Sequence, residues 1–316
     1  MRDVMQNHLL QVLSIVAMEE PVTMTATDIR NAKTKALSCI SPLKVDDVIL
    51  GQYTSGMIPG AKEQVSQPAW VGEVSFNSKN YTTTVPGKKP KNQSKPNPKP
   101  TQPTVPLSPS PSLTTTHHPP PPPPTQEPGY REDPTVPNDS IAATYCLAKF
   151  TIDNDRWKNV PFVMKAGKAM DSKLCTVRIQ FKPESPDVPP NELVIRIQPD
   201  PAIWMNMNVM EPGLGNHLMQ THLDLTYSKH SELKGKAINA YTRLLLDVLR
   251  GDQSTFVRSD ELSQAWRIFT PVLHAIDDEK IAPTMYPAGT RGPPAADAYM
   301  ATVRQRSKEY VWKTEE

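Results

Sequence analysis

Cys175-Thr176-Val177-Arg178-Ile179-Gln180-Phe181 alternates apolar and polar side chains without a break. Cys175, Val177, Ile179 and Phe181 fall on one side of an extended chain, and Thr176, Arg178 and Gln180 on the other; period two is the mark of a half-buried strand. Two neighbouring segments read the same way. Leu193, Ile195 and Ile197 oppose Arg196 and Gln198, and Leu223, Leu225 and Tyr227 oppose Asp224 and Thr226. One face is therefore apolar, and the other carries Arg178, Arg196, Gln198 and Asp224.

Outward from this stretch the period changes to that of helices. Lys236 to Arg250 keeps Ile238, Tyr241, Leu245, Val248 and Leu249 at helical spacing and stops at Gly251. Ser259 before Asp260 and Glu261 marks a further helix start. Near the beginning, Asp3 can cap a helix with Gln6 three residues on, and Val4, Leu9, Val12, Ile15 and Val16 continue it until Pro21. A second helix is expected over Ala26 to Ser38, and a strand over Val48 to Tyr53. Strands and helices are segregated rather than alternating, which predicts an α+β fold: a large, mostly antiparallel sheet with helices on one side.

An interruption divides this pattern. Of the 35 prolines in 316 residues, 16 lie between Thr82 and Gly129, in a stretch without Phe, Tyr or Trp. Such a segment cannot bury enough apolar surface to offset chain entropy, so disorder with polyproline II character is expected. The predicted organisation is residues 1–55 and 130–316 as two parts of one folded unit, with 56–129 a disordered Pro-rich insertion. The run Pro119 to Pro124 could also serve SH3- or WW-like partners.

Composition narrows the function classes. A net charge of +2, from 35 basic and 33 acidic residues, supplies no global field for nucleic acid or an anionic membrane. Leu9 to Met18 is far short of the ~20 residues a membrane span needs. Cys39, Cys146 and Cys175 are odd in number and far apart, which argues against a disulfide framework or a zinc cluster and for a reducing compartment. No metal site is expected.

His8 sits about one turn into the opening helix, beyond Asp3 and beside Asn7. An imidazole, with its ordinary pKa near ~6.5, suits proton removal around neutral pH, although a lone helical histidine is more often a surface or packing residue. Lys165, Lys168 and Lys173 surround Gly167, either as a loop that lets charge approach a phosphate or as a solvated turn. Arg178 and Arg196 with Asp224 on one sheet face suggest equally an anionic ligand or a salt-bridge network.

Read together, Arg2-Asp3-Val4-Met5-Gln6-Asn7-His8-Leu9, Leu50-Gly51-Gln52-Tyr53, Arg156-Trp157, Ala166-Gly167-Lys168-Ala169, Asn191 to Pro199, Leu223-Asp224-Leu225-Thr226-Tyr227, Ala265 to Pro271 and Arg291-Gly292-Pro293 follow a familiar order. The chain resembles the C-terminal, substrate-binding part of the glucose-6-phosphate dehydrogenase family, everywhere except Gly56 to Pro128. The resemblance implies oxidation of glucose 6-phosphate to 6-phosphogluconolactone with reduction of NADP, in the cytoplasm or a plastid, and a homodimer formed through the large sheet. It implies that His8 is the base removing the C1 hydroxyl proton, and that Asp3, Lys168, Lys173 and Gln198 hold the sugar phosphate. It also implies a second, structural NADP site at Lys165, Arg178, Arg196, Asp224, Leu225, Thr226, Arg291 and Trp312. Leu174, Trp204 and Asn206 depart from the family there and remove favourable charge.

The family's Gly-rich coenzyme fingerprint and the aspartate that orients the histidine have no match among these residues. The chain by itself is therefore expected not to turn over glucose 6-phosphate. A non-catalytic sugar-phosphate or dimerisation module, and a Pro-rich adaptor, are the competing readings.

Overall fold

The computed structural model describes residues 1–59, 70–78, 124–183, 188–213, 218–230 and 238–303, with backbone alone for 70–78. Residues Arg2–Leu9 wind in π-helical turns that run into α1 (Leu10–Ala17), followed by α2 (Ala26–Ser38). Then come β1 (Val48–Thr54), β2 (Gly56–Ile58), β3 (Trp70–Ser78), β4 (Thr125–Glu127), β5 (Tyr145–Phe150), β6 (Phe162–Lys168) and β7 (Leu174–Phe181). The chain continues through β8 (Glu192–Gln198), β9 (Ala202–Met210), β10 (Leu218–Thr226), α3 (Ala240–Arg250), α4 (Ser259–Asp278), β11 (Thr284–Pro287) and α5 (Pro294–Val303).

Nine strands form one sheet in the order β10-β9-β8-β7-β3-β6-β5-β1-β11. Neighbours are antiparallel except β3 with β7 and β1 with β11. The mostly antiparallel α+β architecture is thus the observed one. The opening helix, α2 and α4 cover one face, where Met5, Leu9, Leu10, Leu13, Leu37, Ile268 and Phe269 meet Cys146, Phe162, Met164, Cys175 and Val177. On the opposite face Tyr145, Leu147, Val163 and Tyr286 pack against Ala296 and Met300 of α5.

Three strands fall inside the stretch expected to be a featureless insertion. β2 pairs with β4, and β3 lies at the centre of the large sheet, between β6 and β7. The folded unit therefore reaches well into 56–129. The Pro-rich run, 82–124, lies outside the described residues apart from its last position.

Local details explain the helices. The expected cap at Asp3 does not form: Met1 is the N-cap without a side-chain bond, and Gln6 Oε1 instead accepts from Arg2 Nη1 at 3.0 Å. The buried stripe is Met5, Leu9, Leu10, Leu13 and Ala17, while Ile15 faces solvent. Thr25 caps α2 by accepting from the Asp28 amide, and Arg267 of α4 donates to the carbonyls of Leu37, Ser38 and Ile40 at the far end. In α4, Ser259 is the first helical residue rather than the cap, which is Arg258. α3 stops at Gly251 in the left-handed region, φ 72°, as its sequence predicts. Its spacing promised a core face, yet Tyr241, Leu245, Val248 and Leu249 are exposed among the described residues, and Asp247 is its buried side chain.

Candidate functional site

Asp3 and His8 are five residues apart on π-helical turns, whose i to i+5 repeat sets them on one face. His8 Nε2 lies 3.9 Å from Asp3 Oδ1, and the two side chains are 66% and 87% exposed. At that exposure the pair contributes little stability. Its arrangement leaves a ring nitrogen in solvent next to a carboxylate that can share the charge of a protonated imidazole.

This helical segment packs over β6 and β3. Lys168 ends β6 opposite Trp70 of β3, whose next residue, Val71, pairs with Leu174, the neighbour of Lys173. Gln198 ends β8 opposite Cys175 of β7. Lys168, Lys173 and Gln198 thus occupy the same end of the sheet, on β6, before β7 and on β8, with β3 between β6 and β7. Alternation from Met164 and Ala166, and from Cys175 and Val177, sets both lysines on the face that carries the helices.

Gln198 joins them through an irregularity. Pairing passes from Cys175↔Gln198 to Thr176↔Arg196, leaving Ile197 as an extra residue, a β-bulge. Cross-strand partners share a face, so Gln198 lies with Cys175 on the helix side, not with Arg196 as strict alternation predicts. Gly167 also differs from expectation. It is a mid-strand residue where a Cβ would meet the Tyr145 ring at 2.6 Å and Met170 Sδ at 2.7 Å, so its lack of a side chain serves packing. Lys165 points to the other face, and the three lysines around Gly167 do not converge.

That other face is ordered in rows. Lys165, Thr176, Arg196, Ala202 and Thr226 lie along one row, across β3, and Arg178, Val194, Trp204 and Asp224 along the next. Both alternatives left open for the arginines bear on it. A salt-bridge network is present: Arg178 Nη1 meets Glu192 Oε2 at 3.1 Å, Arg196 Nη2 meets Asp200 Oδ2 at 3.1 Å, and Asp224 pairs with Lys229 at 3.2 Å. Asp224 also accepts from Thr226 at 2.8 Å, and Arg196 lies 5.8 Å above the Trp204 ring.

Burial, reinforced by the nearby Arg291 and Arg178 cations, pushes the Lys165 ammonium down from 10.5 to about 8. Arg291 itself lies 3.6 Å from Asp297. Across β3 from Lys165 in the same row, the buried Thr176 Oγ1 has no hydrogen-bond partner. β3 thus separates that hydroxyl from Lys165, and Arg178 and Arg291 are each ion-paired, with Glu192 and Asp297. Leu225 does not join this face: it pairs with Ile203 on the helix side. Trp312 lies outside the described residues. Among the described residues no cluster of His, Cys, Asp and Glu could hold a metal, and no helix is long and apolar enough to cross a membrane.

These features define an α+β domain with basic side chains on both faces of one sheet, and comparison with known proteins gives its family. The family model described as glucose-6-phosphate dehydrogenase, C-terminal domain, matches residues 1–86 and 122–312. The chain belongs to this family. It is 40% identical over 302 residues to glucose-6-phosphate 1-dehydrogenase of Dictyostelium discoideum, covering 94% of this chain and 47% of the relative. It is 38% identical over 306 residues to the chloroplastic enzyme of Spinacia oleracea, covering 93% and 42%. A solved glucose-6-phosphate dehydrogenase in complex with its substrate glucose-6-phosphate superposes with a TM-score of 0.70 at 34% identity, covering 96% of this chain and 50% of that one. The chain spans about half the length of the curated relatives it matches. The family match reaches residue 86 and resumes at 122, so the segment foreign to the family is narrower than the insertion expected from composition.

Proposed function

We propose that this chain supplies the sugar-phosphate half of a glucose-6-phosphate dehydrogenase, which oxidises glucose 6-phosphate at C1 and passes hydride to NADP. The observation that carries the reading is the convergence of Lys168, Lys173 and Gln198 at one end of the sheet, on the face covered by the helix of Asp3 and His8. Two ammonium groups and an amide on a rigid sheet end suit the phosphate, a dianion that exposed lysines grip as point charges. His8 Nε2 then accepts the C1 hydroxyl proton as hydride departs, and Asp3, 3.9 Å away, offsets the imidazolium. NADP, when bound, supplies the hydride acceptor; its catalytic site is not among these residues, and the chain alone does not turn over.

On the opposite face Lys165, Arg178, Arg196, Asp224, Thr226 and Arg291 form the second NADP site. The crowding of Lys165 by the Arg291 and Arg178 cations and the unpartnered Thr176 hydroxyl support that reading, because a phosphate would offset the first and accept from the second. The exposed apolar side chains of the two outermost strands at that edge, Met210 of β9 and Leu218, Met219 and Leu223 of β10, support a homodimer through the large sheet. The absence of a charge field or membrane-spanning helix among the described residues is compatible with the cytoplasm, as it is with a plastid.

The test is calorimetry of glucose 6-phosphate with the purified chain. Binding is expected, and Lys168→Ala should weaken it on the order of 10- to 100-fold, the worth of a charged hydrogen bond. Titration without heat or saturation in the unaltered chain would refute the assignment.

A further inference from the structure

We infer that Lys33 is a positioning residue for the helix bearing Asp3 and His8, acting through Gln11 on that helix and Glu261 on α4; the inference rests on the proposed roles of Asp3 and His8. Lys33 Nζ lies 2.9 Å from Glu261 Oε1, and the two side chains are 5% and 0% exposed. The same ammonium donates to Gln11 Oε1 at 2.6 Å. Three helices therefore meet at one nitrogen. Gln11 follows His8 by three residues, so the bond grips α1 where it leaves the π-helical turns.

A buried ion pair is an expensive way to hold helices together. Desolvation consumes most of its Coulombic gain, and apolar side chains of similar volume would serve stability as well. What the ammonium adds is direction through its hydrogen bond to Gln11 Oε1, whereas leucines tolerate sliding and rotation; Glu261, whose two carboxylate oxygens accept no hydrogen bond, supplies the neutralising charge that lets the ammonium stay buried. The opening helix has need of that. Its N-cap lacks a side-chain bond, and its first turns are π-helical, a poorer geometry found mostly in single turns.

The other end of the segment is fastened to α4 as well. The Arg2 guanidinium stacks on the Trp266 ring at 4.2 Å, five residues beyond Glu261. At the head of α4, Arg258 donates to Asn31 Oδ1 at 2.8 Å, two residues before Lys33, so α2 and α4 are themselves locked. α4 is thus the template against which His8 is set. An error of about an ångström in such a register is enough to cost on the order of 100-fold in rate.

The test uses the purified chain with two variants. Lys33→Met/Glu261→Leu removes both charges together and leaves neither unpaired; Gln11→Met cuts only the link to α1 and keeps the buried pair. The double variant is expected to keep the urea midpoint close to that of the unaltered chain, whereas Gln11→Met, which leaves one proton of a buried ammonium without its acceptor, should lower it modestly. Both should raise amide exchange in residues 4–10 at least about 10-fold, leave α2 and α4 protected, and weaken glucose 6-phosphate by a similar factor. Exchange in residues 4–10 within twofold of the unaltered chain for Gln11→Met overturns the inference, whatever the double variant does. So does a loosened helix that binds the sugar phosphate unchanged. If the unaltered chain binds no glucose 6-phosphate, the proposed roles of Asp3 and His8 fall, while the exchange data still decide whether Lys33 fixes the helix.

Discussion

Replacing Lys165 with methionine should make the protein more stable, and the gain should depend on pH. The Lys165 ammonium titrates at about 8 rather than 10.5, chiefly because it is buried and secondarily because of Arg291. A base whose folded pKa is depressed binds protons more weakly in the native state than in the unfolded one. The native state therefore carries a penalty that is complete below pH 8 and fades as pH rises towards 10.5. The shift corresponds to about 3 kcal/mol at most, and water reaching this partly exposed side chain lowers the observable gain to roughly 1–3 kcal/mol. Methionine keeps the apolar stem and removes the charge. Paired urea unfolding curves for the two proteins should show Lys165→Met ahead at pH 7 and level near pH 10.5. Pyrophosphate or NADP should narrow the gap at pH 7 by binding only the lysine form. A variant less stable at pH 7, or a gap that persists at pH 10.5, would refute this account of the Lys165 environment.

Thr176→Val removes a buried hydroxyl without a partner, so its urea midpoint should rise by the equivalent of about 1–2 kcal/mol in the ligand-free protein; a falling midpoint would mean the hydroxyl is satisfied. Trp157→Ala should cost about 3–5 kcal/mol by the same assay, since the ring packs on Phe162 at a centroid distance of 5.2 Å and its Nε1 donates to the Ala17 carbonyl at 2.8 Å. Burial pushes the Cys146 thiol up to about 12 and that of Cys175 to about 11, so iodoacetamide at pH 8 should label Cys39 first; mass spectrometry finding Cys146 or Cys175 labelled as quickly would contradict the native packing.

The strands with strict alternation, and the helix over Ala26 to Ser38, were legible because each has one buried face and one period. β9 was not: Ala202-Ile203-Trp204-Met205-Asn206-Met207 offers bulky groups to both sides, with Trp204 buried on the same face as Arg178 and Asp224. The phase of the opening helix was misread for a definite reason. π-helical turns advance by a smaller angle per residue than α turns, so a 3.6-residue template finds Leu9 and the flanking Val4, Val12 and Val16 but puts exposed Ile15 in the stripe and omits buried Met5, Leu10 and Leu13. Gln198 was assigned to the wrong face because a bulge adds one residue, and nothing in Arg196-Ile197-Gln198 announces it. Lys168 and Lys173 could be found as charges near a glycine, but their separation from Lys165 is a property of strand alternation. Lys33 and Glu261 left no signal at all, because surface and buried charges look alike in a sequence.

α3 has a consequence for handling the protein. Its eleven residues are stapled at the ends by Asn239 and Gly251, yet Leu249 is 84% and Tyr241 77% exposed. Helices this short are marginal in water without tertiary support, and here water already surrounds the side chains whose burial normally provides it. Chymotrypsin, which cuts after leucine and tyrosine, should therefore cut within this helix. The same greasy ridge will draw molecules together on a concentrator membrane, so the material is best kept dilute and assayed before it is stored.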